Sequence, residues 1–230
     1  MIKVMTIASG SAGNCYRITD GTTSILIECG IPIKDIRSGL GYQLSEISAC
    51  LISHEHKDHC VAIKDILKLG IDCYMSQGTK EALNLSGHRV HVIKNEVRIG
   101  TWRVMPFRTK HDSAEPIGFL LISGKYRLLF ATDTTYIPRF HFLSHVMIEC
   151  NYDPEILKQN NNIPPTTKQR IRKAHFSIVQ VKQYLQSIDL RNVRGIWLIH
   201  LSNENSHELT FKRTIQEITG KPVYIAPPYS

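Results

Sequence analysis

The run Ser53-His54-Glu55-His56-Lys57-Asp58-His59 sets three imidazoles and an aspartate within six consecutive positions, directly after the apolar stretch Ala49-Cys50-Leu51-Ile52. Side chains alternate faces along an extended segment, so His54 and His56 point the same way and can share one metal ion. If the chain then turns into the helix suggested by residues 61–67, Asp58 and His59 are carried sideways toward a second ion, at roughly the 3.5–4 Å separation of two-metal sites. Neutral imidazole and carboxylate suit Zn²⁺ and neighbouring divalent ions, and no thiolate in the run demands a softer metal. A loop that leaves a buried strand is also where sheet proteins present catalytic groups. The run therefore reads as half of a dinuclear centre rather than a histidine-rich surface loop.

A chain of 230 residues with 42% apolar and 21% charged residues has the composition of one globular domain, here expected over 1–230. No stretch approaches the ~20 apolar residues of a membrane helix, and the apolar start at residues 1–8 is interrupted too soon for a signal peptide. The six cysteines stand singly, with no Cys-x-x-Cys pair, which fits a reducing, cytoplasmic setting. Lysine and arginine number 28 against 20 acidic residues, a formal charge of +8 that attracts polyanions, nucleic acid first among them.

The elements that must hold the run alternate strands and helices. Strands are expected at 2–8, 15–18, 23–28, 49–52 and 71–75, with helices at 32–40, 60–69 and 77–85. A second series of strands follows at 96–100, 101–107, 117–123, 125–130, 145–152, 193–199 and 222–226, with helices at 178–187 and 208–219. Residues 159–167 are polar, contain two prolines and read as an exposed loop leading into the basic run Lys168-Gln169-Arg170-Ile171-Arg172-Lys173. Ser177 suits the N-cap of the helix after it. His88 and His91, with no acidic neighbour in view, read as surface or structural histidines.

His54-x-His56-x-Asp58-His59 resembles the signature of the metallo-β-lactamase fold superfamily, and Ser9-Gly10-Ser11-Ala12-Gly13-Asn14 with Leu26-Ile27-Glu28-Cys29-Gly30 resembles the opening of its WalJ/YycJ-like branch. The resemblance implies an α/β (α+β) fold, a four-layer αββα sandwich with one or two metals at the sheet edge. It extends to His111 after the 101–107 strand and to Ala131-Thr132-Asp133-Thr134-Thr135. It extends also to Glu149 in the supporting network, to His175-Phe176-Ser177, and to His200-Leu201-Ser202-Asn203-Glu204-Asn205. Glu28 and Thr135 stand where the branch usually has aspartate and glycine.

The ligand set so implied is His54, His56 and His111 on one ion, with Asp58, His59 and His200 on the other and Asp133 bridging; the metals are Zn²⁺ or Mn²⁺, with Fe²⁺ compatible. The implied activity is a metal-dependent phosphodiesterase using a hydroxide between the ions, a DNA exonuclease of 5′–3′ polarity by family resemblance. Asp58 orients the attack and His175 is the general acid or a phosphate contact. Arg170, Arg172 and Lys173 hold the backbone of the nucleic acid, with Asn205 a further substrate contact and His207 a rim contact. Two alternatives stay open. The same fold hosts small-molecule hydrolases acting on thioesters, lactams or cyclic phosphodiesters, and a non-catalytic nucleic-acid-binding protein could keep the ligands without turnover. No long insertion separates Asp133 from His200, which disfavours an RNA-processing enzyme with a second domain.

Overall fold

A computed structural model of the chain describes residues 1–229 and folds them around two sheets. The first contains β1 (Lys3–Ala8), β2 (Cys15–Thr19), β3 (Ser24–Ile27), β4 (Ile47–Leu51), β5 (Asp72–Met75) and β6 (Val90–Val92) in that spatial order. The second runs from β7 (Val97–Ile99) through β8 (Trp102–Arg108), β9 (Ile117–Ser123), β10 (Tyr126–Ala131), β11 (His145–Glu149) and β12 (Gly195–Ile199) to β13 (Val223–Ile225). Each sheet opens with antiparallel strands and closes with parallel ones, the change falling at the β3–β4 and β10–β11 pairs. The parallel strands need crossovers, which supply the helices.

Alternation along the strands builds three apolar layers. Ala49 and Leu51 of β4 face the space between the sheets with Tyr16, Ile25, Trp102, Phe119 and Phe130, while Cys50 points the other way. That outer face of the first sheet is covered by α1 (Ile33–Gly39), α2 (Lys57–Cys60), α3 (Ile63–Lys68) and α4 (Gln77–Ala82), with Ile36, Ile63 and Ile66 packed on Leu26, Cys50 and Cys73. On the second sheet Leu129, Ile148 and Leu198 bury against α7 (Ile178–Gln186) and α8 (Glu208–Thr219), through Val181, Leu185, Phe211 and Ile215. The layers are helix, sheet, sheet, helix, the expected αββα sandwich.

Three local expectations are corrected. The helix expected from Cys60 begins at Lys57 and is split in two, so Asp58 and His59 already lie in its first turn. Residues 159–167 are not wholly loop: α5 (Pro154–Gln159) ends there and α6 (Pro165–Ala174) begins there, so the basic run is helical. Pro165 occupies the first helical position, where a missing N–H breaks no bond and the fixed φ favours the helix. His91 does have an acidic neighbour, with Nε2 3.3 Å from Asp72 Oδ1 and its ring stacked on Tyr74.

Between β3 and α1 the chain passes so close to the metal-type run that a side chain is excluded. A Cβ on Gly30 would lie 1.7 Å from the Asp58 carbonyl oxygen. That carbonyl accepts from the backbone N–H of Asn14 at 2.8 Å and from its side chain at 3.1 Å, and Cys29 N–H donates to His59 O at 2.8 Å. Gly30→Ala should therefore displace the Asp58–His59 turn and cost about 2–3 kcal/mol, as overpacking does. A fall in Tm of roughly 5–10 °C is expected for a chain of this size, together with weakened metal retention; an unchanged Tm and metal content would contradict the close packing.

Candidate metal centre

Three strand ends turn inward at one rim of the sandwich, each through a non-glycine residue with left-handed backbone: Glu28 after β3 (φ 64°), Asp133 after β10 (φ 42°) and His200 after β12 (φ 54°). Such conformations cost energy for residues with a Cβ and persist where surrounding bonds over-determine them. Here the bonds are specific. His200 N–H donates to Ser9 Oγ at 2.9 Å, Thr134 N–H to Glu149 Oε2 at 3.0 Å, and Ser53 N–H to Glu28 Oε1 at 3.2 Å.

These turns bring together side chains far apart in sequence. His54, His56, His111 and Asp133 offer donor atoms within 4.8 Å of one another, and so do Asp58, His59, Asp133 and His200. Asp133 is common to both sets. Its Oδ2 lies 3.1 Å from His59 Nε2, 3.5 Å from His54 Nε2 and 3.6 Å from His111 Nε2, while Oδ1 lies 3.4 Å from His200 Nε2. Asp58 Oδ2 is 3.3 Å from Nε2 of both His59 and His200.

The residues fit divalent cations. His111 Nδ1 is 3.1 Å from the Ala174 carbonyl, which can only accept, so Nδ1 carries the proton and Nε2 presents a lone pair inward. That atom faces His56 Nδ1 at 3.2 Å, an approach that requires a proton or a cation between the two nitrogens. His54 Nδ1 is engaged by Ser53 Oγ at 2.9 Å, and its Nε2 is buried with no hydrogen-bond partner. A buried polar atom left so costs about 1–3 kcal/mol, which coordination removes. Imidazole with carboxylate suits Zn²⁺, Mn²⁺ or Fe²⁺.

The charges of the cluster are mutually dependent. Burial alone would lift the Asp133 carboxyl, but His200 and His59 hold it well below the carboxylate range. Burial alone would lower His200, yet Asp133, Asp58 and Glu149 push it up to about 10. His59 is raised in the same way, against its own burial and chiefly by Asp133. Burial dominates at His54 and His111, which are held below the ordinary imidazole value. The carboxylates thus favour positive charge at His59 and His200, the place that bound metal ions would take.

Around the cluster, Glu149 is fully buried and accepts from His175 Nδ1 at 2.6 Å and from Phe176 N–H at 3.1 Å. His175 follows α6 directly, so the basic residues of that helix border the rim; Arg170, Arg172 and Lys173 are exposed, and Arg170 Nε lies 3.6 Å from Asp112. Asn205 is not brought into the cluster. It is buried, its Nδ2 donating to Ser202 Oγ at 3.1 Å and its Oδ1 accepting from Asn160 Nδ2 at 3.1 Å, bonds that brace its own loop. His207 likewise turns to its own chain and caps α8, accepting from Thr210 N–H at 3.3 Å.

Supporting residues that sequence reasoning passed over are Asn14, which holds the Asp58 carbonyl; Asn151, which donates to His200 O at 3.0 Å; and Glu55, which accepts from Ala114 N–H at 2.7 Å and ties the metal-type run to the His111 loop. The first two lie at the end of the glycine loop and two residues beyond Glu149, positions a search around the ligands would reach.

Fold and site together place the chain in the beta-lactamase superfamily: the sequence model of the beta-lactamase superfamily domain matches residues 23–201, and the chain belongs to that family. Among characterised relatives it is similar to the exodeoxyribonuclease WalJ of Streptococcus pneumoniae, 26% identical over 89% of this chain and 83% of the relative. It is also similar to the exodeoxyribonuclease YycJ of Bacillus anthracis, 22% identical over 92% and 87%. Its fold matches the metallo-beta-lactamase fold protein YhfI of Bacillus subtilis with a TM-score of 0.76 and 16% identity, over 100% of this chain and 97% of that one. The short form of human tRNase Z matches with a TM-score of 0.69 and 13% identity, over 100% and 98%.

Glu28 lies beneath this centre, its Oε2 3.7 Å from His59 Nδ1, a nitrogen that has no hydrogen-bond partner. Glu28→Gln should weaken binding of the ion on the His59 side by about 10–100-fold, the usual effect of removing such a supporting carboxylate. Titration of the metal-free protein with Mn²⁺ or Zn²⁺, followed calorimetrically, checks this; unchanged affinity for both ions would contradict it.

Proposed function

We propose that the chain is a dinuclear-metal phosphodiesterase that degrades nucleic acid, a DNA exonuclease of 5′–3′ polarity, with Zn²⁺ or Mn²⁺ as its metals and Fe²⁺ compatible with the same donors. The observation that carries the reading is the pair of ligand sets sharing Asp133, with the exposed basic residues of α6 beside them. The exodeoxyribonucleases named among its relatives support the choice of DNA. All six cysteines are buried and free, the state a reducing compartment maintains, which supports a cytoplasmic enzyme. Among the described residues no helix is long and apolar enough to cross a membrane.

When bound, the ions supply positive charge at the phosphoryl oxygens and an activated water near neutral pH. The chain does the rest. Asp58, whose side chain is 24% exposed where Asp133 is nearly closed off, can accept a hydrogen bond from the attacking water and fix its direction. His175 is oriented by Glu149 through Nδ1, which leaves Nε2 to face the leaving oxygen. Burial would drain the proton from this ring, but the Glu149 carboxylate on Nδ1 works against that and favours the protonated ring that a general acid requires. Arg172 and Lys173 are free to meet phosphates, contacts that position a strand without reading its sequence.

Asp58→Ala or His59→Ala should reduce hydrolysis of end-labelled DNA by at least about 10³-fold while the fold persists by circular dichroism. Retained activity on both DNA and RNA would contradict the assignment. The wild-type kcat/KM on single strands should also fall steeply between 50 and 200 mM salt, with a log–log slope near −0.7 per phosphate contact. Salt-insensitive turnover of a small ester, with no action on polynucleotides, would instead select the small-molecule hydrolase.

A further inference from the structure

The parallel strands β10, β11 and β12 all deliver metal-centre residues from their C-terminal ends: Asp133, Glu149 and His200. Their N-terminal ends, about 17 Å away for a five-residue strand, frame a second concavity. It has a volume of about 440 Å³ and is lined by Lys125, Tyr126, Phe142, Ser144, Arg191 and Arg194, among others. None of these residues belongs to the metal centre.

The chemistry of this concavity is cationic and aromatic. Arg194 lies over the Tyr126 ring at 5.2 Å and Lys125 over the same ring at 5.9 Å. Both side chains are exposed, and among the described residues neither has a carboxylate partner. Arg191 is the exception, held by Asp189 at 2.8 Å, and Lys221 Nζ adds a further cation by donating to the Arg191 carbonyl at 3.2 Å. Phe142 is 62% exposed, a large ring presented to solvent beside these cations. His145, just inside, is pushed down to about 4 by burial first and then by the positive charge of Arg194 and the amino terminus.

We infer that this concavity is a second binding site for single-stranded nucleic acid, in which Lys125 and Arg194 take backbone phosphates and Phe142 stacks a base. Cations that track a phosphate backbone beside an open aromatic face are the general means of holding single strands without sequence preference. Charge complementarity selects a polyanion, and the exposed ring selects one that carries planar bases. The inference rests on the proposed nuclease function for its choice of ligand. It adds that a strand long enough to reach around the sandwich is held at two places, so affinity rises with length beyond the few nucleotides that fill the metal rim.

Binding of fluorescent single-stranded DNA of 4 and 20 nucleotides, to metal-loaded wild type and to the Lys125→Gln/Arg194→Gln and Phe142→Ala variants, tests this by anisotropy under Ca²⁺ or another non-supporting ion. For the 20-mer, the double variant should bind roughly tenfold or more weakly at low salt, with the slope of log affinity against log salt reduced by about 1.4, two contacts at 0.7 each. Phe142→Ala should weaken 20-mer binding without changing the slope, whereas 4-mer binding and hydrolysis should match wild type in both variants. Equal 20-mer affinity and slope in all three proteins would overturn the second site, as would equal losses for both lengths. Displacement of the 20-mer from this site by a millimolar 5′-mononucleotide or inorganic phosphate would reassign it to free phosphates and overturn the strand. Hydrolysis is read separately, so an inactive wild type that still shows the length-dependent loss would refute the nuclease reading and leave the second site standing.

Discussion

Everything at the rim depends on burying the Asp133 carboxylate among imidazoles. Only 2% of the residue is exposed, and its two oxygens face different rings, Oδ2 toward His54, His59 and His111 and Oδ1 toward His200. Taking a carboxylate out of water costs several kcal/mol. One cation at about 4 Å returns about 4 kcal/mol at an effective dielectric of 20, so a single protonated ring does little more than break even. The cluster favours more positive charge than that, the kind that bound divalent ions bring. A site built in this way is a cation receptor before it is anything else.

The architecture makes the convergence possible. Each sheet contributes strands whose C-terminal ends meet at one rim, and the left-handed residues Glu28, Asp133 and His200 redirect the chain there instead of letting it run on. Asn14 of the glycine loop after β1 and Cys29 beyond β3 then grip the Asp58–His59 turn through backbone bonds. The ligands are thereby placed by backbone, the Glu149 carboxylate sets the orientation of His175, and Glu28 puts a buried negative charge beneath His59.

Much of this is legible in the sequence. The density of His54, His56, Asp58 and His59 in one short run spoke for itself, because no packing role asks for such a cluster. His111, Asp133 and His200 are single residues after ordinary strands, and only their resemblance to a known pattern singled them out; the geometry brings them to the same rim. The capping box of Ser177 and Gln180 appeared where a helix start was expected. The misreadings have local causes. Two adjacent prolines at 164 and 165 suggest a loop, yet proline at a helix start is harmless, so α6 carries the basic residues. Asn205 and His207 followed a motif into a loop where Asn205 is buried and bonded to its own loop and His207 Nδ1 caps α8, local bonds that no spacing reveals.

The central claim is that one carboxylate serves two cation sites. Metal content of the purified protein and of single variants, measured by inductively coupled plasma mass spectrometry after loading and desalting, tests it most directly. The account predicts two ions per wild-type chain, one after either His111→Ala or His200→Ala, and fewer than one after Asp133→Ala. Two ions retained in Asp133→Ala, with the fold intact, would contradict it.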